Sequence, residues 1–192
     1  GKNEWRISES IKLPSNFNIF LDNCYMVQET GTYDNMFTNL YSWEPEKHKK
    51  LENEQTNISI IGLGNVILDG GVHNHLMEKT SGKFSQPPLR RNNMFLWINV
   101  DGLRIENLHI RNQRWWAIHL GFAEYGRLSN LHFHCECEYP NLDNIDLRDG
   151  CHDIIIENIT GQSGDDMIAL SAIGCPVFKT DFKTGYRLAV HG

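Results

Sequence analysis

The stretch Asn141–Ala172, NLDNIDLRDGCHDIIIENITGQSGDDMIALSA, decides the fold. It holds one arrangement twice, an acidic turn running into a short apolar alternation. Asp143 stands two residues before Ile145 and Leu147, and Asp166 stands two residues before Ile168 and Leu170, so that both offsets are 23 residues. A period of this length built from short strands marks a solenoid, in which each turn leaves an apolar face that only its neighbour can bury. Stacking then brings Asp143 and Asp166 together although 22 residues separate them.

The repeat continues upstream. Apolar pairs recur at Ile98/Val100, Ile118/Leu120, Ile145/Leu147 and Ile168/Leu170, with separations of 20, 27 and 23 residues. Beside them runs a second register, Glu106-Asn107-Leu108, Ser129-Asn130-Leu131 and Glu157-Asn158-Ile159. No helical period competes with this pattern. The expectation is an all-β chain, a parallel β-helix in one domain over residues 1–192, with roughly seven coils of about 23 residues. Asn107, Asn130 and Asn158 are placed to stack as an amide ladder, since asparagine tolerates the left-handed turn conformation.

Closer to the start, Phe17, Ile19 and Leu21 alternate as core candidates, with Asn18 and Phe20 facing outward. Residues 57–71 resume the strand pattern, and Gly62, Gly64 and Asp69-Gly70-Gly71 mark tight turns. Two polar stretches interrupt the repeat, at about 30–56 and 72–92, and read as long loop insertions. Tyr41 and Trp43 in the first could wall a sugar site, and Arg90-Arg91 in the second could bind a substrate carboxylate; solvated loop is the alternative for both. Leu188–Gly192 reads as the approach to another coil, so a longer β-helix is expected.

A net charge of −6 argues against nucleic acid or an anionic membrane as partner. No apolar run is long enough to span a bilayer, and the chain does not begin with a signal-peptide pattern. The five cysteines, Cys24, Cys135, Cys137, Cys151 and Cys175, read as small buried hydrophobes without a disulfide framework, which leans weakly to a reducing compartment. His132-Phe133-His134-Cys135-Glu136-Cys137 suggests a metal site. On a strand, however, the histidines face opposite to Cys135 and Cys137, and no metal or cofactor is expected.

Several polar residues fall in register with the acidic turns. Asp146, between inward Ile145 and Leu147, points outward on the strand that carries the cluster. His119 holds the equivalent place one coil earlier, as a cleft residue or a surface histidine. Trp116 precedes Ile118 as Asp143 precedes Ile145, and so stacks below the aspartates as a sugar platform or as packing. Asp149 and Asp153 read as turn caps.

At Asn141-Leu142-Asp143-Asn144-Ile145-Asp146 and Gly164-Asp165-Asp166 the sequence resembles glycoside hydrolase family 28, the polygalacturonases and their relatives. Gly64-Asn65-Val66-Ile67-Leu68-Asp69-Gly70-Gly71 resembles an early coil of the same family, and the likeness covers about residues 57–172. The resemblance implies a right-handed parallel β-helix that hydrolyses a glycosidic bond of a polysaccharide with inversion. Asp165 would then be the general acid, and Asp143 and Asp166 would activate water. Inversion needs carboxyl groups roughly 6.5–9.5 Å apart, which side chains diverging from coils ~4.8 Å apart can reach. Crowded carboxylates cannot all ionise, so one of the three is expected to keep its proton near neutral pH.

Two departures stand out. Asn144 replaces the family's glycine, and the only nearby match to its Gly-His-Gly histidine is His191, without the first glycine. The family's Arg-x-Lys pair does not follow, which leaves uronate recognition unsupported. Secretion or a periplasmic location would follow from the family alone. Two other classes fit the same repeat: a calcium-dependent polysaccharide lyase, for which Arg148 is a poor base, and a non-catalytic glycan-binding module.

Overall fold

A computed structural model describes residues 4–32, 34–42, 53–71, 93–135, 141–148 and 150–171. His191, Trp43, the Arg90-Arg91 pair, Cys137, Cys175 and Asp149 lie outside the described residues, as do most of the two polar stretches. The described residues form thirteen strands in one continuous sheet and no helix. None of their segments is a helix long and apolar enough to cross a membrane.

Every strand pairing is parallel, and the pairings fall on three faces of a β-solenoid. One face stacks β2 (Ile11–Leu13), β5 (Phe37–Asn39), the start of β8 (Phe95–Arg111), β9 (Ile118–Glu124), β11 (Ile145–Leu147) and β13 (Ile168–Leu170). A second stacks β3 (Phe17–Asp22), β6 (Gln55–Leu63), the middle of β8, β10 (Arg127–His134) and β12 (Ile155–Gly161). The third joins β1 (Glu4–Ile7), β4 (Tyr25–Gln28), β7 (Ile67–Asp69), the end of β8 and the ends of β10 and β12. The long strand β8 thus runs round a whole coil. It turns where the backbone enters the left-handed region at Asn99, Gly102 and Asn107. Among the described residues asparagine supplies nine of the twelve non-glycine residues in that conformation, because its short amide tolerates it and can bond to the next coil.

On the first face the inward ladder is Ile11, Phe37, Phe95, Ile118, Ile145 and Ile168. This corrects the sequence reading by one pair. The rung below Ile118/Leu120 is Phe95/Trp97, whereas Ile98 and Val100 pair with Gly121 and Ala123. The true step is 23 residues, and the aromatic rung hid it from a search for aliphatic pairs. Phe95 stacks on Phe37 with ring centroids 5.4 Å apart. The step from Phe37 to Phe95 is the long one, and it takes in β6, β7 and the greater part of both polar stretches. A strand, β5, occupies residues inside the first of these stretches, with Phe37 wholly buried.

The predicted asparagine ladder is present. Asn130 Nδ2 donates to Asn107 Oδ1 at 2.9 Å and Asn158 Nδ2 to Asn130 Oδ1 at 3.0 Å. Cys24, Cys135 and Cys151 are buried, as small core residues. Phe17, expected inside, is 45% exposed, on a strand that among the described residues pairs only with β6; Phe20 is exposed as its outward register requires. Gly62 is fixed by close approach: a Cβ there would lie 2.0 Å from the Asn107 carbonyl oxygen.

Candidate active site

The acidic turns stack as the repeat requires. Ala117 N–H donates to Asp143 O at 2.8 Å, and Asn144 N–H to Asp166 O at 3.0 Å. With Ile118, Ile145 and Ile168 in register, Trp116, Asp143 and Asp166 occupy equivalent positions on successive coils. The outward column beside them contains Leu96, His119, Asp146 and Ala169. Asp143, Asp146, Asp165 and Asp166 thus lie on two adjacent turns, with Trp116 and His119 on the coil below.

Their exposures differ, and this sets their chemistry. Asp165 and Asp166 are exposed, whereas Asp143 is 7% and Asp146 1% exposed. Burial, reinforced by the negative charge of Asp165, pushes the Asp143 carboxyl up to about 6. Hydrogen bonds from the Asp146 side chain and the Asp166 backbone N–H limit that rise. Asp146 is pushed up to about 9 by burial, then by the charge of Asp143 and by donating its proton to Asp143, with the Arg148 charge opposing. The proton that crowding was expected to trap among Asp143, Asp165 and Asp166 is held most firmly on Asp146. The outward face of β11 is covered, so Asp146 bears the full cost of desolvation.

Around this pair stand residues of the coil below and of the pair's own coil. The Trp116 ring meets His119 edge-on at 4.8 Å and Trp115 at 5.5 Å. The Arg148 guanidinium lies over Trp116, 4.9 Å from the ring centroid, a cation–π contact. His119 is buried rather than a solvated surface histidine. Among the described residues, Asp143 Oδ1, Asp146 Oδ2, Trp116 Nε1 and Arg148 Nε are buried with no hydrogen-bond partner. Such orphaned groups are costly, and these four all belong to the turns of the acidic cluster and the coil below it. No group of three or more metal-ligating side chains converges among the described residues.

Residues not singled out from sequence support the site. Arg114, buried, donates to the carbonyl oxygens of Gly70 at 2.6 Å, Glu29 at 3.0 Å and Thr32, tying the Trp115-Trp116 turn to two earlier coils. Gln113 Nε2 donates to Asn144 Oδ1 at 2.7 Å and Leu142 O at 3.2 Å. Nothing in the local pattern separates Arg114 from exposed arginines; only the stack supplies its partners. Asp69, from the family-like early coil, is structural. Despite its burial, donors from Gly71 N–H, Asn112, Tyr25 and Arg111 hold its carboxyl below the usual range, with Arg111 at 2.6 Å. His132 and His134 are exposed and Cys135 is buried, on opposite faces as expected. Asp153 is exposed and accepts from His152 Nδ1 at 2.9 Å.

No protein-family model matches this sequence, and no curated protein matches it. Among solved structures the chain is similar to a "putative glycosyl hydrolase" from Parabacteroides merdae. That match has 14% identity and a TM-score of 0.49 over 80% of this chain and 75% of the other. Likeness at that level leaves the site to be read from its own residues.

Proposed function

We propose that this chain hydrolyses a glycosidic bond of a polysaccharide or oligosaccharide, with inversion, by carboxyl groups on two adjacent coils. The observation that carries the reading is the division within the cluster: a buried pair, Asp143 and Asp146, shares a proton beside two exposed carboxyls, Asp165 and Asp166. A carboxyl at about 6 is a base poised for work near neutral pH. Asp143, with Asp166, takes a proton from water as its oxygen bonds to the anomeric carbon. By the resemblance to family 28, Asp165 delivers a proton to the departing glycosidic oxygen as the carbon–oxygen bond breaks; since its charge is one that raises Asp143 in the free chain, it must first take up that proton. Trp116 offers a ring face to the sugar, buried His119 supports that ring edge-on, and buried Asp146 acts through its hydrogen bond to Asp143. The acid role of Asp165 and the pairing of Asp143 with Asp166 follow the resemblance to family 28; pectin is one substrate to try, not the one the residues select. The early Asp69 coil and the place of His191 carry no step in this scheme.

The test is reducing-end release from a panel of pectic and other glycans by the wild type, Asp165→Asn and Asp166→Asn, with and without EDTA. Chelator-resistant release that falls by about a hundredfold or more in each variant is expected. Release lost with EDTA together with an unsaturated product would replace the reading with a lyase. Binding that survives Asp165→Asn without turnover by the wild type would replace it with a glycan-binding module.

A further inference from the structure

We propose that Asn144 is a positioning residue of the acid cluster, its side-chain amide locking together the three successive turns that carry Trp116, Asp143 and the Asp165–Asp166 pair. The effect on turnover rests on the hydrolase reading; the geometry does not.

The backbone ladder sets Asn144 in one inward column with Met36, Met94, Ala117 and Met167. Met36, Met94 and Ala117 are wholly buried there, and so is Asn144. A polar side chain in an apolar column is destabilising unless its atoms are paired, and packing alone would be met by another small apolar residue. Here both ends of the amide are used, in opposite directions along the stack. Its Oδ1 accepts from Gln113 Nε2 at 2.7 Å on the turn below. Its Nδ2 donates to Met167 Sδ at 2.9 Å and faces Gln162 O at 3.4 Å on the turn above. Ser163 completes the brace: its hydroxyl lies 3.2 Å from Leu142 O and 2.8 Å from Asp166 O.

Among the described residues the wholly buried polar rung of this column, Asn144, is therefore at the level of the carboxyl groups, whereas Ser10 at its other end is only partly buried. The Asp166 backbone N–H bonds to the Asp143 carboxylate, so a slip of the upper turn against the lower would move a hydrogen bond of the base as well as the acid. Displacements of about 1 Å in such a constellation can lower rates by up to about a hundredfold.

The test compares Asn144→Ala with Asn130→Gly, which removes two amide bonds of the outer ladder away from the cluster. Both variants are expected to melt below the wild type. Measured well below either melting temperature, Asn144→Ala should lose roughly ten- to hundredfold in kcat with KM held within about twofold, while Asn130→Gly keeps its kcat. Gln113→Ala, a milder cut at the same amide, should fall between them and serves if Asn144→Ala does not fold. Full kcat in Asn144→Ala, or equal losses in both asparagine variants, would overturn the proposal. If the wild type cleaves no glycan, the hydrolase reading has failed, and the 13C titration of the Asp143 carboxyl tests the brace by itself. It should move away from about 6 in Asn144→Ala, because both the Asp165 charge and the Asp166 backbone N–H that act on it are carried by the upper turn, and an unchanged titration would overturn the proposal.

Discussion

Asp146 carries the largest pH consequence of any single residue in the site. Its folded-state carboxyl is raised to about 9 by burial and by Asp143, so the folded chain holds a proton that the unfolded chain releases above about pH 4. The stability tied to that proton is fully present below pH ~4 and is lost as pH rises towards 9. Asp146→Asn keeps a donor to Asp143 and removes the titration. Its melting temperature should lie near that of the wild type at pH 4 and rise above it by pH 8, by roughly 2 kcal/mol or more in stability. A difference that stays constant with pH would contradict this account. The sequence placed Asp146 correctly on the outward side of its strand, in register with His119. What it did not contain was the burial of that side: Asp146 stacks beside His119 of the coil below, which in turn meets the Trp116 ring that lies under the Arg148 guanidinium.

At the scale of elements, the repeat was legible wherever one rung looked like the next. The aspartate offset and the asparagine register both survive, since each rests on residues whose chemistry the stack uses directly. The Phe95/Trp97 rung escaped because aromatic residues fill the same inward places as isoleucine and leucine. Strand β5 escaped because a three-residue strand with one apolar side chain is too short to show alternation. The asparagine ladder gives an element-scale prediction. Asn130 bonds to both neighbours, so Asn130→Gly, which keeps the left-handed turn, should lower stability by roughly 2 kcal/mol, on the order of 5 °C in Tm. A melting temperature equal to that of the wild type would mean that solvent replaces the ladder at no cost.

For the whole molecule, stability is expected to be graded along the solenoid axis. Inward residues of the middle coils, Phe95, Ile118 and Ile145, are wholly buried, whereas Ile168 and Leu170 on β13 are 40% and 49% exposed. Amide hydrogen exchange should therefore be slowest in β8 and β9 and faster in β12, β13 and β1. Uniform protection along the axis would contradict a stack whose coils depend on their neighbours. The same stacking carries the functional account, since it alone brings Asp143 beside Asp165 and Asp166. The proposed hydrolysis turns on direct attack by water opposite the leaving group, activated by that cluster. The most direct test is proton NMR of the anomeric centre in the first product, recorded during the first minutes of glycan cleavage. The account predicts that the new reducing end appears with the anomeric configuration opposite to that of the bond cleaved, and then mutarotates. A product that appears first with retained configuration, or with a double bond in the sugar ring, would contradict it.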